Sequence, residues 1–402
     1  MRGDQLKIAR VEQVVHGGDG LLRLEGKVGF VSGVLPGELV SFVITQERPR
    51  QFWGLLREVL EPSPSRCEPR CPLAGRCGGC DWQHASYDHQ LEMKRDVVAE
   101  DFARIGKFSI DRSVISVLSG EPWGYRERVQ VHTNSRGLPG FKARRSGEII
   151  SVSNCPVAAA EINCFLDGVA RGDVALPPER RVSLALADRG ASGDRDVITA
   201  LEKKEAQRTL GGVSFSFDPS SFFQVNRDLL ECLAHDLRAR IAKDSPRVLV
   251  DLYAGAGVLG ALAVSGEGDF AGNVLCVEAD RRNARFIKEN LLRAGLAAHQ
   301  ISVIPQTAER AVATRKFLAH VDPATVAVIL DPPRAGLSGE LRRWLRKGRF
   351  SRLFYLSCNS STLARDLGEL TDTYMIQDVT ILDFFPQTAH IEVFVELRLG
   401  KS

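Results

Sequence analysis

Apolar and polar positions over the first sixty or so residues alternate with the two-residue period of half-buried strands. The segments LKIARVEQVV, LLRLEGKVGFVSG, ELVSFVITQE and FWGLLREVLEP carry this alternation, and the turn sequences HGGDG and LPGE separate them. A small β-barrel is therefore expected over residues 1–62, with EPSPSR as the linker behind it. The pattern is mixed over residues 63–215: DHQLEMKRDVVAEDFARIG has helical spacing, whereas YRERVQVHT and GLPGFKARRSGEIISVSNC alternate like strands. A β-rich central domain is the reading there. From residue 216 the organisation changes. The apolar runs RVLVDLYAGAG, NVLCVEAD, ISVIPQ, VAVILDPPRAG and RLFYLSCNS are interleaved with amphipathic stretches such as RRNARFIKENLLRAG. That alternation predicts an α/β domain over residues 216–402, built on a doubly wound parallel sheet of Rossmann-like type.

Composition narrows the class of protein more than its function. A chain of 402 residues exceeds one ordinary core, in keeping with two or three domains. A hydrophobic content of 44% with mixed charges fits a globular protein and excludes a disordered one. The formal charge of +3 says little about partners, but basic residues bunch in FKARRSG and LRRWLRKGRFSR, as phosphate-facing patches or as solvated faces. No signal peptide opens the chain, and no apolar stretch approaches the roughly eighteen residues of a membrane span. A cytoplasmic protein that works away from membranes is expected. Nine cysteines in a reducing compartment are not disulfide staples, so a cluster of them calls for a metal or a catalytic role.

Such a cluster lies in RCEPRCPLAGRCGGCDWQH, where Cys71, Cys77 and Cys80 are spaced C-x5-C-x2-C. A two-residue gap lets two thiolates face one metal across a tight turn. The fourth ligand is open between Cys67, nearest in sequence, and Cys155 in VSNCPVA; zinc and an iron–sulfur cluster both accept four thiolates.

Ligands of doubly wound sheets bind outside the carboxyl ends of the strands, where DLYAGAG, VEAD, DPPR and SCNS all fall. GAGVLG formally satisfies the dinucleotide fingerprint, with Glu278 at a distance suited to a ribose hydroxyl. Asp251 at the strand end would repel a pyrophosphate, however, and suits the cationic S-adenosylmethionine better than a nicotinamide cofactor. Cys358 stands at the same edge. An electrophilic methyl beside a thiol suggests addition of the thiolate to carbon 6 of a uracil, which makes carbon 5 nucleophilic. A base must then remove the carbon 5 proton. Glu392, in the apolar stretch HIEVFVELR, could serve; the competing reading is an acid on the exposed face of an edge strand.

Two resemblances extend these readings. GGDGLLRLEGKVGFVSGVLPGELV resembles a TRAM domain, an OB-like RNA-binding module. The set C-x5-C-GGC-x-WQH, WGYRERV, SFFQVN, DLYAGAG, VEAD, DPPRAGL, SCNSSTLARDL and QTAHIE is similar to that of RNA uracil-C5 methyltransferases carrying TRAM and iron–sulfur segments, of 23S rRNA type. The resemblance covers nearly the whole chain. It implies Cys358 as nucleophile, Glu392 as proton acceptor and a [4Fe–4S] cluster on Cys71, Cys77, Cys80 and Cys155, with Cys67 a bystander. It also implies contacts from Gln224, Tyr253, Glu278 and Asp331 to S-adenosylmethionine or to the space beside it. Two positions depart from the family pattern: Val258, where the family often has Asn, and Ser360, where it often has Pro. The expected protein is a monomeric, cytoplasmic RNA-modifying enzyme acting on ribosomal RNA. A transfer RNA uridine methyltransferase, a cytosine-C5 methyltransferase, an iron–sulfur NAD-dependent oxidoreductase and a purely RNA-binding protein with a degenerate enzyme domain are the alternatives, the last opposed by the intact Cys358 and Glu392.

Overall fold

Strands β1 (Leu6–Val14), β2 (Gly20–Leu24), β3 (Lys27–Val31), β4 (Leu39–Glu47) and β5 (Gln51–Glu61) close a barrel in the order β1-β2-β3-β5-β4. The computed structural model describes residues 5–189, 195–202, 205–221, 223–266, 270–314 and 317–400. Inward-facing Val11, Leu22, Val31, Val40, Phe42 and Phe52 fill the barrel. The segment LLRLEGKVGFVSG, expected as one strand, is the β2–β3 hairpin. Glu25 and Gly26 both take positive φ (49° and 76°), as in the two-residue turns whose twist matches that of paired strands. A Glu-Gly pair inside an apolar run is a weak turn signal, so the break does not show in the pattern.

The central part contains β7 (Arg128–Thr133), β8 (Pro139–Lys142), β9 (Ile149–Ser151), β10 (Arg181–Asp188) and β11 (Arg195–Thr199). They pair as a five-stranded sheet in the order β11-β10-β7-β8-β9. Helix α2 (Ala160–Arg171) lays Ile162, Leu166 and Val169 on it. A hairpin of β12 (Ala206–Leu210) and β13 (Val213–Phe217) comes next.

The third part is a sheet of β6 (Ser116–Leu118), β14 (Val248–Leu252), β15 (Asn273–Val277), β16 (Ile301–Ile304), β17 (Val326–Leu330), β18 (Arg352–Ser357), β19 (Tyr374–Leu382) and β20 (Glu392–Leu399). These eight strands are ordered β16-β15-β14-β17-β18-β20-β19-β6. One apolar core holds α3 (Arg227–Asp244), α4 (Val258–Val264) and α5 (Arg281–Arg293) against one face. A second core holds α1 (Tyr87–Asp101), α6 (Ala308–Ala313), α7 (Gly339–Gly348) and α8 (Ser360–Leu370) against the other. Strands β14 to β18 are parallel, as the pattern predicts, and β20 runs antiparallel between β18 and β19, a feature the local pattern does not carry. The reason is the link before it: residues 383–391 form no helix, and a parallel crossover needs a dozen or more residues.

Residues 87–118 also belong to this layer. Helix α1 packs on α8, and β6 extends the sheet beside β19. The Lys94 ammonium of α1 donates to Asp383 at 2.5 Å with both side chains fully buried. Removing one partner would strand the other charge, at a cost of about 3–5 kcal/mol. Chain order reverses between β14 and β17, and that switch point opens a crevice at the strands' carboxyl ends.

Candidate active site

The turn after β14 shapes the crevice. Tyr253 takes φ 64°, a left-handed conformation unusual for a side-chain-bearing residue, before the glycine loop begins. Further on, the Gly260 amide donates to Asp251 Oδ2 at 3.1 Å; a Cβ there would stand 2.8 Å from that oxygen, so only glycine permits the approach. Asp251 is buried, its Oδ1 has no partner, and burial pushes it up to about 8. Glu278, just past β15, accepts from the Gly255 amide at 2.8 Å and the Asp280 amide at 2.6 Å, which fixes it against the glycine loop. Burial raises this carboxyl as well.

A cavity of about 580 Å³ lies over these strand ends. All six residues singled out in this domain line it: Gln224, Tyr253, Glu278, Asp331, Cys358 and Glu392. Phe222 of the SFFQVN motif lies outside the described residues. Among the lining groups, Gln224 Oε1, Asp251 Oδ1 and Asn283 Oδ1 are buried acceptors without a donor. Three orphan acceptors and several carboxyls suit a cationic, donor-rich ligand. They oppose the pyrophosphate that a nicotinamide cofactor would bring to this loop. Val258 is on the same wall, so the first departure sits at the cavity itself.

Cys358 comes directly after β18, and Asn359 caps α8 by accepting from the Ser361 and Thr362 amides. The Asn359 side-chain amide also donates to Arg334 O at 3.1 Å, which ties the Cys358 loop to the DPPRAGL loop. Ser360, the second departure, is fully buried: its hydroxyl donates to Asp101 at 2.6 Å, and His16 Nδ1 of the barrel lies 3.3 Å away. Burial pushes the Cys358 thiol up to about 11, with Glu392 and Asp331 adding to the effect and Arg334 opposing it. Below that value the thiol is protonated, so the reactive thiolate grows with pH. Alkylation of the Cys358 peptide by iodoacetamide, read by mass spectrometry, should quicken about tenfold per unit between about pH 7 and 10. A flat profile would mean a resting thiolate.

Glu392 begins β20, an interior strand, and only 4% of it is exposed. The exposed-edge-strand reading is thereby excluded. Burial first, and then the neighbouring Asp331, push this carboxyl well above the ordinary range, while Arg334 opposes them. Arg334, which lines the same cavity, is thus a cation acting on both Cys358 and Glu392, a residue that the sequence motifs alone do not single out. The signal that could have found it is its place three residues after Asp331 in DPPR.

Cys71, Cys77, Cys80 and Cys155 line a separate cavity of about 260 Å³. Cys67 stands outside it, exposed, with its thiol toward Gln83 O. All nine cysteines are free. Among the described residues, no three His, Cys, Asp or Glu side chains converge closely enough to grip one metal ion. Part of each basic bunch is engaged in ion pairs within the protein. Arg144 pairs with Asp81 and Arg145 with Asp19, each at 2.8 Å, which joins the central sheet to the cysteine loop and to the barrel. In the second bunch, Arg342 pairs with Asp366 and Arg352 with Asp244. No helix among the described residues is long and apolar enough to cross a membrane.

Residues 212–399 match the family described as tRNA (Uracil-5-)-methyltransferase. The chain is 30% identical over 435 residues to the 23S rRNA (uracil(1939)-C(5))-methyltransferase RlmD of Vibrio parahaemolyticus, covering 95% of this chain and 94% of that protein. It is 28% identical over 450 residues to the RNA methyltransferase tlr0942 of Thermosynechococcus vestitus, with 96% and 97% covered. The crystal structure of Pyrococcus abyssi tRNA (uracil-54, C5)-methyltransferase with S-adenosyl-L-homocysteine superposes with a TM-score of 0.69 at 21% identity. The two chains are covered to 97% and 100%, a likeness of fold.

Proposed function

Because the chain belongs to the RNA uracil-C5 methyltransferase family, we propose that it methylates carbon 5 of a uridine in large-subunit ribosomal RNA. The observation that carries this reading is the meeting of Cys358, Glu392 and the orphan acceptors in one cavity. When bound, S-adenosylmethionine supplies an electrophilic methyl group. Gln224, Asp251, Glu278 and Asp331 would hold it, their acceptors and carboxyls matching its ammonium, ribose hydroxyls and positive sulfonium. The Cys358 thiolate adds to carbon 6 of the uracil, and the electron pair displaced from the ring double bond makes carbon 5 the nucleophile. After methylation Glu392 takes the carbon 5 proton, the double bond reforms, and the carbon–sulfur bond breaks with its electrons returning to Cys358. Arg334 lies where it can offset negative charge on both side chains.

The test is methyl transfer to ribosomal and transfer RNA pools stripped of the modification, with mass spectrometry of the nucleosides. The expected product is 5-methyluridine in ribosomal RNA. Methylation of transfer RNA alone would move the target, and 5-methylcytidine or no transfer would overturn the reaction.

A [4Fe–4S] cluster on Cys71, Cys77, Cys80 and Cys155 belongs to the same proposal. The support is that these four thiols, and not Cys67, line one cavity, and that a donor set of thiolates suits a cluster. A cluster spreads its ligands over four irons. Anaerobically purified protein should contain iron and labile sulfide, Cys155→Ser should lose both, and Cys67→Ser should keep them. Stoichiometric zinc, or equal loss from both variants, would refute the assignment.

A further inference from the structure

Glu392 depends for its place on the loop before it, and little of that loop is held by its own sheet. At its start Asp383 accepts from Lys94 at 2.5 Å and from Tyr87 at 2.7 Å. Its middle is fastened at Gln387, whose φ of 68° is a left-handed conformation that a non-glycine residue keeps only when its surroundings enforce it. The enforcing group is an amide on α1. Gln90 Oε1 accepts from the Gln387 backbone N–H at 2.9 Å, and Gln90 Nε2 donates to Gln387 Oε1 at 3.0 Å. The same Nε2 reaches Trp82 O at 3.1 Å and Ala85 O at 2.9 Å, so one side chain joins the loop to the segment beyond the cysteines. From that segment the Asp81 and Trp82 amides donate to Gln387 O at 2.9 and 3.0 Å. Asp81 Oδ2 in turn accepts from the Ala389 amide at 2.9 Å. Gln90 and Gln387 are both buried, with 0% and 2% exposed.

We infer that Gln90 is a positioning residue for the last step of the reaction, acting through Gln387 to hold Glu392 against the carbon 5 proton. The inference rests on Glu392 being the base. Cys358 is carried by β18 and α8, and the contacts that fix its own loop come from Asn359, from the Arg334 loop and from Asp101 at the far end of α1, none of them through Gln387. Neither Gln90 nor Gln387 bonds the Cys358 loop, so loosening this clamp falls first on proton removal and less on thiol addition and methyl transfer. A buried amide with both ends occupied locks a loop more sharply than apolar packing does, because loosening it leaves unpaired donors and acceptors.

The test tracks one turnover with methyl-labelled S-adenosylmethionine and RNA, quenched into denaturant and resolved on a gel. Gln90→Leu removes the amide. Gln387→Gly removes the side-chain half of the pair and frees the backbone from its enforced left-handed conformation while keeping that conformation accessible, and it decides the matter should the first variant fail to fold. In either, the labelled protein–RNA adduct should form within about threefold of the native rate, yet decay at least about tenfold more slowly. Equal slowing of formation and decay, or native decay, would overturn the inference. Glu392→Gln run alongside separates the two claims: if it too fails to retain the adduct, the base assignment is at fault, and if it retains the adduct while Gln90→Leu does not, only the clamp is.

Discussion

Cys358→Ala should lower methyl transfer by on the order of 10⁴-fold or more, with no covalent protein–RNA species at any time. Carbon 5 of uracil is a weak nucleophile until something adds at carbon 6, and among the described residues no other cysteine lines the cavity. The loss should fall on the chemical step. Equilibrium dialysis should show S-adenosylmethionine still binding, because its proposed contacts on Gln224, Asp251 and Glu278 are untouched. Cys358→Ser should do little better, as a hydroxyl in a site whose burial already lifts a thiol to about 11 is harder still to ionise. Substantial methylated RNA from either variant would show that carbon 5 is activated in some other way.

The local pattern carries the barrel, the α/β sheet and the strand-end position of Cys358, because apolar periodicity reports which face of an element is buried. It carries less about direction and pairing. Nothing within EVFVELRL tells which way β20 runs; the short stretch 383–391 decides that, and its meaning emerges only once β19 and β20 are known to be neighbours. Likewise Arg144 and Arg145 read as candidate phosphate contacts because their partners Asp81 and Asp19 are distant in the chain. Arg334 shows the same limit at the site: its neighbours Cys358 and Glu392 come from other strands. Glu392 is legible as a candidate and undecidable, from sequence, as an edge or interior residue. Its place on an interior strand depends on β19 pairing along the free edge of β20, a tertiary fact.

Glu392→Gln should fail in the opposite way to the cysteine variant. The thiol, the cavity and Arg334 remain, so addition and methyl transfer proceed, but the amide cannot accept the carbon 5 proton and elimination stalls. Replacing a carboxylate beside Cys358 by a neutral group also removes one of the charges that raise the thiol, so the first step should not slow. A methylated protein–RNA adduct should therefore accumulate to nearly one per active site, visible on denaturing gels as a retarded band carrying label from the methyl group. The direction of the pH response comes from the same geometry. Burial and Asp331 raise the Glu392 carboxyl, so at low pH it holds its own proton and cannot take another; native enzyme at falling pH should form adduct more slowly, as its thiolate declines, while adduct already formed should persist longer before release. Free methylated RNA released by Glu392→Gln at the native rate would show that another group removes the proton, and Asp331, on the same cavity wall, would be the next residue to replace.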